Sequence, residues 1–192
     1  KKIEDDPNMN KKKAACAIAR LLTLHPYNLA QKTEVMIEHF RQVTLKKIGG
    51  KAKAKVVTAS REHVVRYKHE FDRYLKEKGY KDIKALVAFS GTVLLDGIPP
   101  EYTEPGMNGF GEKELPEKFA TSEYQILLVA EKYQTGYDEP LLHTMYVDKR
   151  LDGVKAVQTM SRLNRTCPGK EDTFILDFVN KREDILAAFQ PY

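Results

Sequence analysis

The sequence predicts an α/β protein, a three-layer sandwich with a mainly parallel sheet and helices on both faces. Two observations carry that prediction. From Lys55 onward short, continuous apolar runs recur, as strands buried on both faces require, and helical periodicity fills the intervals between them. With 192 residues the chain is long enough for one sizeable core, so one main domain over 28–192 is expected, preceded by a basic helical lead-in over 1–27.

The elements follow in order. A helix is expected over about Ala14 to Leu24, stopped by His25-Pro26. Asn28 and Gln31 have the spacing of a capping box, and Met36, Ile37, Phe40, Val43 and Ile48 then mark one apolar stripe that ends at Gly49-Gly50. VVTAS (56–60) is the first strand. Ser60 is placed to cap a helix whose stripe is Val64, Tyr67, Phe71 and Tyr74, with Gly79 as its stop. ALVAFS (85–90), YQILLVA (124–130), HTMYVD (143–148) and TFILDFV (173–179) are the remaining strands, and KREDILAAFQ makes a final helix on the sheet. The interval 91–119, with five glycines and four prolines, breaks the alternation; a connection of that length is usually functional or mobile.

Composition excludes several classes. With 42% hydrophobic and 31% charged residues the chain fits a globular protein rather than a disordered one. No apolar run approaches the roughly 20 residues of a membrane span, and the polar start does not read as a signal peptide, so no membrane partner and a cytoplasmic location are expected. Cys16 and Cys167 form no Cys-x-x-Cys pair, and the histidines lack His-Glu-x-x-His spacing, so no metal site is expected. The net charge of +5 is uneven: residues 1–55 carry 13 Lys/Arg against 5 Asp/Glu. Such a basic segment fits either a polyanion partner or a solvated linker helix.

The segment QTMSRLNRT, 158–166, carries the sharpest chemical signal. On a continuous helix, at about 100° per residue, Gln158, Arg162 and Arg165 fall within roughly 60° of one another while Ala156, Met160 and Leu163 face away. Asp152 and Gly153 suit the start of that helix and Pro168-Gly169 its stop. Planar, permanently charged guanidinium forks are what a site needs to stabilise a transferring phosphoryl group. The alternative is a solvated helix edge pairing with acids such as Asp172.

QTMSRLNR resembles motif VI of superfamily 2 helicases, Gln-x-x-Gly/Ser-Arg-x-x-Arg, and KYQTGYDEP (132–140) resembles motif V; VVTASR (56–61) stands where motif IV would be. With HPYNLAQKTEVMIEHF, RYKHEF, GEKELPEKFAT and SRLNRTCPGKEDTFILDF, nearly the whole chain resembles the R subunit of type I restriction-modification enzymes, in the region of its second RecA-like domain. The resemblance implies a RecA-like fold and, in the parent, ATP-dependent translocation on double-stranded DNA and restriction. It implies Arg165 as the finger at the γ-phosphate, Arg162 as a second cation there, and Gln158 as an orienting group for the phosphate or the attacking water. Gly136 would allow close backbone approach and Asp138 would accept from the ribose; a turn glycine and a helix cap are the competing structural readings.

Ser60, Arg61, Ser90, Gly91 and Thr92 are candidates for nucleic-acid contact because they fall at the predicted carboxyl ends of strands, where backbone amides and hydroxyls hold phosphates. Ordinary turn and capping roles compete for each. Ala130 stands where many helicase relatives carry a DNA-contacting threonine, which departs from the pattern.

No Gly-x-x-x-x-Gly-Lys-Ser/Thr loop and no Glu-x-Lys nuclease pair occurs. The chain by itself is therefore expected neither to hydrolyse ATP nor to cut DNA, and to act as part of a larger chain. ATP with Mg2+ would be held mainly by a first RecA-like domain. The expected partners are that domain and the nuclease domain of the same chain, double-stranded DNA, and the methyltransferase and specificity subunits. The second domain of another superfamily 2 helicase, or a non-catalytic α/β interaction module, are the alternative readings.

Overall fold

The computed structural model describes residues 7–191. Helix α1 spans Pro7–Leu24 and α2 spans Pro26–Gln42, followed by strand β1 (Lys53–Thr58), α3 (Arg61–Lys78) and β2 (Ala85–Ala88). A hairpin of β3 (Thr92–Leu95) and β4 (Ile98–Thr103) precedes the short helices α4 (Glu104–Asn108) and α5 (Leu115–Ala120). Then come β5 (Ile126–Val129), β6 (Leu142–Asp148), α6 (Gly153–Met160), β7 (Phe174–Asp177) and α7 (Arg182–Phe189). The first six residues of the expected lead-in lie outside the described residues.

The five main strands form one sheet in the order β2-β5-β1-β6-β7, every neighbouring pair parallel. Because side chains alternate across a strand, each strand supplies both layers. Ala54 and Val56 of β1 face α2 and α3, with Phe40, Tyr67, Phe71 and Tyr146 in the same buried layer. Val57, Leu127 and Met145 face the other way, against Phe119, Ala156, Met160 and Leu163. This is the expected three-layer α/β sandwich.

Most local signals act as anticipated. Ser60 caps α3, its hydroxyl accepting from His63 N at 3.3 Å, and Gly79 closes the helix at φ +69°. Four expectations need correction. The cap of α2 is His25, whose ring accepts from Tyr27 N, while the Asn28 amide donates back to the carbonyls of Leu22 and Thr23. Val43 drops out of the buried stripe and is 38% exposed, since α2 has ended and the chain has turned into a 3-10 segment. Strand β1 begins at Lys53 rather than Val56, because loop carbonyls satisfy two buried lysines that interrupt the apolar run. Strand β7 is only partly covered, being paired on one side as the edge of the sheet.

The 91–119 interval is the main surprise. Its first half is the β3-β4 hairpin, turned by Asp96 and Gly97, both at positive φ (55° and 70°). Asp-Gly between short apolar runs favours a two-residue turn of the hand that matches strand twist, and it was the available signal. Glu104, just beyond, is buried and accepts from the backbone N–H of Phe89, which ties the interval to the end of β2.

Candidate functional site

The arginine segment does not form one continuous helix. Helix α6 ends at Met160, a 3-10 turn covers Ser161–Asn164, and Arg165 is extended at φ −69°, ψ 127°. In a 3-10 turn residues three apart eclipse, so Leu163 falls directly beyond Met160 and both are buried against the sheet. The core thus holds the apolar side as expected, but the shared helix edge for Gln158, Arg162 and Arg165 is overturned. Gln158 is exposed on α6, Arg162 is half-buried in the tight turn, and Arg165 leaves on an extended stretch.

The tertiary fold sets different partners beside them. Arg165 Nε lies 3.0 Å from Asp138 Oδ1, so the motif V and motif VI segments meet through an ion pair. Asp138 caps no helix, because the chain runs from it directly into β6. Asp172, the acid considered as a partner for the arginines, is held instead by Lys47 (2.8 Å) and His143 (2.9 Å). Gly136 sits at φ +78° with open space where a Cβ would be, so the backbone angle alone calls for glycine there. That agrees with the turn-glycine reading.

Arg162 is the most telling side chain. Its Nε is buried and has no hydrogen-bond partner among the protein atoms. Close by, Lys55 of β1 is fully buried, its ammonium donating to the carbonyl of Tyr133 at 2.8 Å and facing the Tyr137 ring. Burial, reinforced by the Arg162 charge, pushes the Lys55 ammonium down to about 8, with Glu139 opposing. Lys55 and Glu139 were not anticipated. A lysine inside an apolar strand pattern is visible in sequence, but only the fold sets it beside an arginine.

The Arg165 turn is closed by Lys170. Its ammonium donates to the carbonyls of Leu163 (2.6 Å), Arg165 (2.8 Å) and Pro140 (3.3 Å), and burial lowers its pKa. Pro140 lies just before β6, and the nearest atom to a Cβ built at Gly169 would be Ile48 Cα, before β1. The turn therefore sits at the end of the sheet where β1 and β6 begin.

Ser60, Arg61, Ser90, Gly91 and Thr92 gather at the opposite end, beyond the carboxyl ends of β1 and β2. Arg61 Nη1 donates to the Ser90 carbonyl at 2.9 Å, and a Cβ at Gly91 would meet that same nitrogen at 2.8 Å. Ser60, Arg61, Ser90, Ala130 and Lys132 line a cavity of about 330 Å³. An adjoining one of about 520 Å³ is lined by Arg20, Ser60, Arg61, His63 and Thr92. The structure thus brings all five candidates together, though Ser60 and Arg61 also perform the capping and turn-holding roles that competed for them. Lys132, missed in the sequence, is held at this edge by Glu104 (2.9 Å) and Glu112 (2.8 Å).

Below this edge is a buried charge network. Asp148, the last residue of β6, accepts from Lys32 of α2 at 2.7 Å and from the Tyr67 hydroxyl. Burial and the neighbouring carboxylate drive the Tyr67 hydroxyl strongly upward, so it stays a donor. Among the described residues there is no cluster of three metal-ligating side chains, and no helix is long and apolar enough to cross a membrane.

Comparison with known proteins places this geometry in a family context. Residues 101–180, which include the segments resembling motifs V and VI, match the family model for type I restriction enzyme subunit R domain 3. The MjaVIIP endonuclease subunit of a type I restriction enzyme from Methanocaldococcus jannaschii is 30% identical over 172 residues, covering 84% of this chain. The MjaIXP endonuclease subunit of the same organism is 27% identical over 196 residues, covering the whole chain. The chain spans 16% and 18% of the lengths of those two relatives. Among solved structures, Mss116p bound to ssRNA and AMP-PNP shares the fold, with a TM-score of 0.54 at 16% identity over 85% of this chain and 28% of that one. In fold the chain is a RecA-like α/β domain, and in sequence it is a relative of the endonuclease subunits, the R subunits, of type I restriction enzymes.

Proposed function

We propose that this chain is the second RecA-like motor domain of a type I restriction enzyme R subunit, with the lead-in at 1–27 and the motor domain at 28–192. It would complete the ATP site for translocation along double-stranded DNA and, in the whole complex, for restriction. The observation that carries this reading is the placement of two guanidinium groups in one short segment: half-buried Arg162, whose Nε has no partner among the protein atoms, and exposed Arg165. Two guanidinium groups with donors to spare fit the oxygens of a phosphate.

ATP with Mg2+, held mainly by a first RecA-like domain, would supply the phosphoanhydride bond whose hydrolysis drives the motion. Arg165 acts as the finger that offsets charge developing on the phosphoryl oxygens, Arg162 provides a second cation, and exposed Gln158 orients the phosphate or the attacking water. Because Asp138 pairs with Arg165, its ribose contact would require that pair to loosen. The groove around Ser60, Arg61, Ser90, Gly91 and Thr92 would carry the duplex backbone. The nuclease and first RecA-like domains of the same chain, and the methyltransferase and specificity subunits, would be partners of this cytoplasmic assembly. The chain alone would be inactive in ATP hydrolysis and in DNA cleavage.

The test is DNA-stimulated ATP hydrolysis by the full-length parent, wild type against Arg165→Ala, with ATP binding measured in parallel. Loss of about a hundredfold or more in turnover with binding retained is expected. Wild-type turnover would sink the reading.

A further inference from the structure

The bond pattern of one lysine, outside the segments that resemble motifs IV, V and VI, bears on how the finger is aimed. A 3-10 turn leaves its last carbonyls without intrahelical partners, and a cation is the favourable group to place there. After Arg165 the chain doubles back through Cys167-Pro168-Gly169, with Lys170 N bonded to the Cys167 carbonyl at 3.1 Å and Gly169 at φ +83°. That return delivers the Lys170 ammonium onto the Leu163 and Arg165 carbonyls and onto Pro140 of the motif V segment. An ammonium has three N–H donors, and here each has its own acceptor.

We infer that Lys170 is a positioning residue for Arg165: it fixes the backbone of the finger and locks motif VI to motif V, so that the guanidinium is already aimed when the nucleotide arrives. The inference rests on the reading of Arg165 as the transition-state cation. Three features support it. Lys170 bonds the carbonyl of Arg165 itself and that of Leu163, whose side chain is anchored in the core, so the extended residue is tied to a rigid one. The Asp138–Arg165 pair connects the same two segments through side chains that are each about half exposed, so it cannot by itself hold them firmly. Lys170 bonds backbone carbonyls and none of the side chains assigned to the phosphate, so its effect on that site is indirect, with the Arg165 backbone as its direct contact.

The experiment is a double-mutant comparison of DNA-stimulated ATP hydrolysis in the full-length parent, using wild type, Lys170→Met, Lys170→Arg, Arg165→Ala and the Arg165→Ala/Lys170→Met double variant. Methionine keeps the stem and removes the donors. Lys170→Met is expected to lower kcat by about tenfold or more with KM for ATP within about twofold, as a misaimed transition-state group does. Lys170→Arg, which restores cationic donors, should recover most of the loss, and the double variant should be no slower than Arg165→Ala alone. If Lys170→Met does not fold, Lys170→Gln replaces it; its amide has two N–H donors and no charge, so a smaller fall in kcat in the same direction is expected. Two results overturn the inference while leaving the finger reading intact. One is wild-type turnover in Lys170→Met alongside a slow Arg165→Ala; the other is a further full loss in the double variant. Wild-type turnover in Arg165→Ala would overturn the motor reading and this inference with it.

Discussion

Arg165 and Asp138 face each other at 3.0 Å, joining two segments that are separate in sequence and adjacent only in the folded chain. Both side chains are about half exposed, so the pair contributes at most about 1 kcal/mol to stability. Asp138→Asn should therefore leave the melting temperature of this chain nearly unchanged. In the full-length parent its turnover should fall much less than that of Arg165→Ala, because the guanidinium remains. A raised KM for ATP with kcat intact would instead mark Asp138 as the ribose acceptor.

Arg61 is exposed at the rim of the groove and bonded to the Ser90 carbonyl. If it neutralises a phosphate, Arg61→Ala should weaken duplex binding by the full-length parent equally across sequences, and reduce the slope of log affinity against log salt by about 1. Gly91→Ala should reproduce that loss, since the new Cβ displaces the guanidinium, and should add about 1–2 kcal/mol of destabilisation from the positive φ. An unchanged salt slope in both variants would remove this edge from the DNA interface.

Lys55 gives a pH signature with a definite sign. Its folded pKa is depressed to about 8 from the ordinary lysine value of 10.5, so the unfolded chain holds this proton more tightly. Burying the charged ammonium costs stability in full below about pH 8, and the cost disappears as pH rises from there to about 10.5. Urea midpoints of wild type and Lys55→Met, taken across that window, should show the wild type gaining relative to the variant. A constant difference would mean that Lys55 titrates normally.

Tyr67→Phe removes a buried donor from the carboxylate of Asp148, leaving Lys32 as its remaining side-chain partner. A hydrogen bond to a buried charge predicts a loss of about 1.5–3 kcal/mol in urea unfolding. A loss under about 0.5 kcal/mol would show that a rearranged neighbour or water takes the hydroxyl's place.

All five sheet strands, helix α3 with both of its caps, and the final helix were legible in the residues, because each is written in local periodicity and in the chemistry of Ser60 and Gly79. The buried side of the arginine segment was legible for the same reason: Ala156, Met160 and Leu163 are apolar, and the sheet covers them. The β3-β4 hairpin was overlooked behind its glycines and prolines, although Asp96-Gly97 marked its turn.

The sequence by itself thus determined the alternating α/β plan, the residues of the arginine segment and the core face of most elements, since those follow from the period of side chains along one segment. Only the tertiary structure decided that α6 tightens into a 3-10 turn, that Arg165 meets Asp138, that Lys170 closes that turn, and that Lys55 lies buried near Arg162. Those relationships join residues from different elements. They depend on the strand order β2-β5-β1-β6-β7 and its register, which the packing of the whole sheet imposes and no local pattern records.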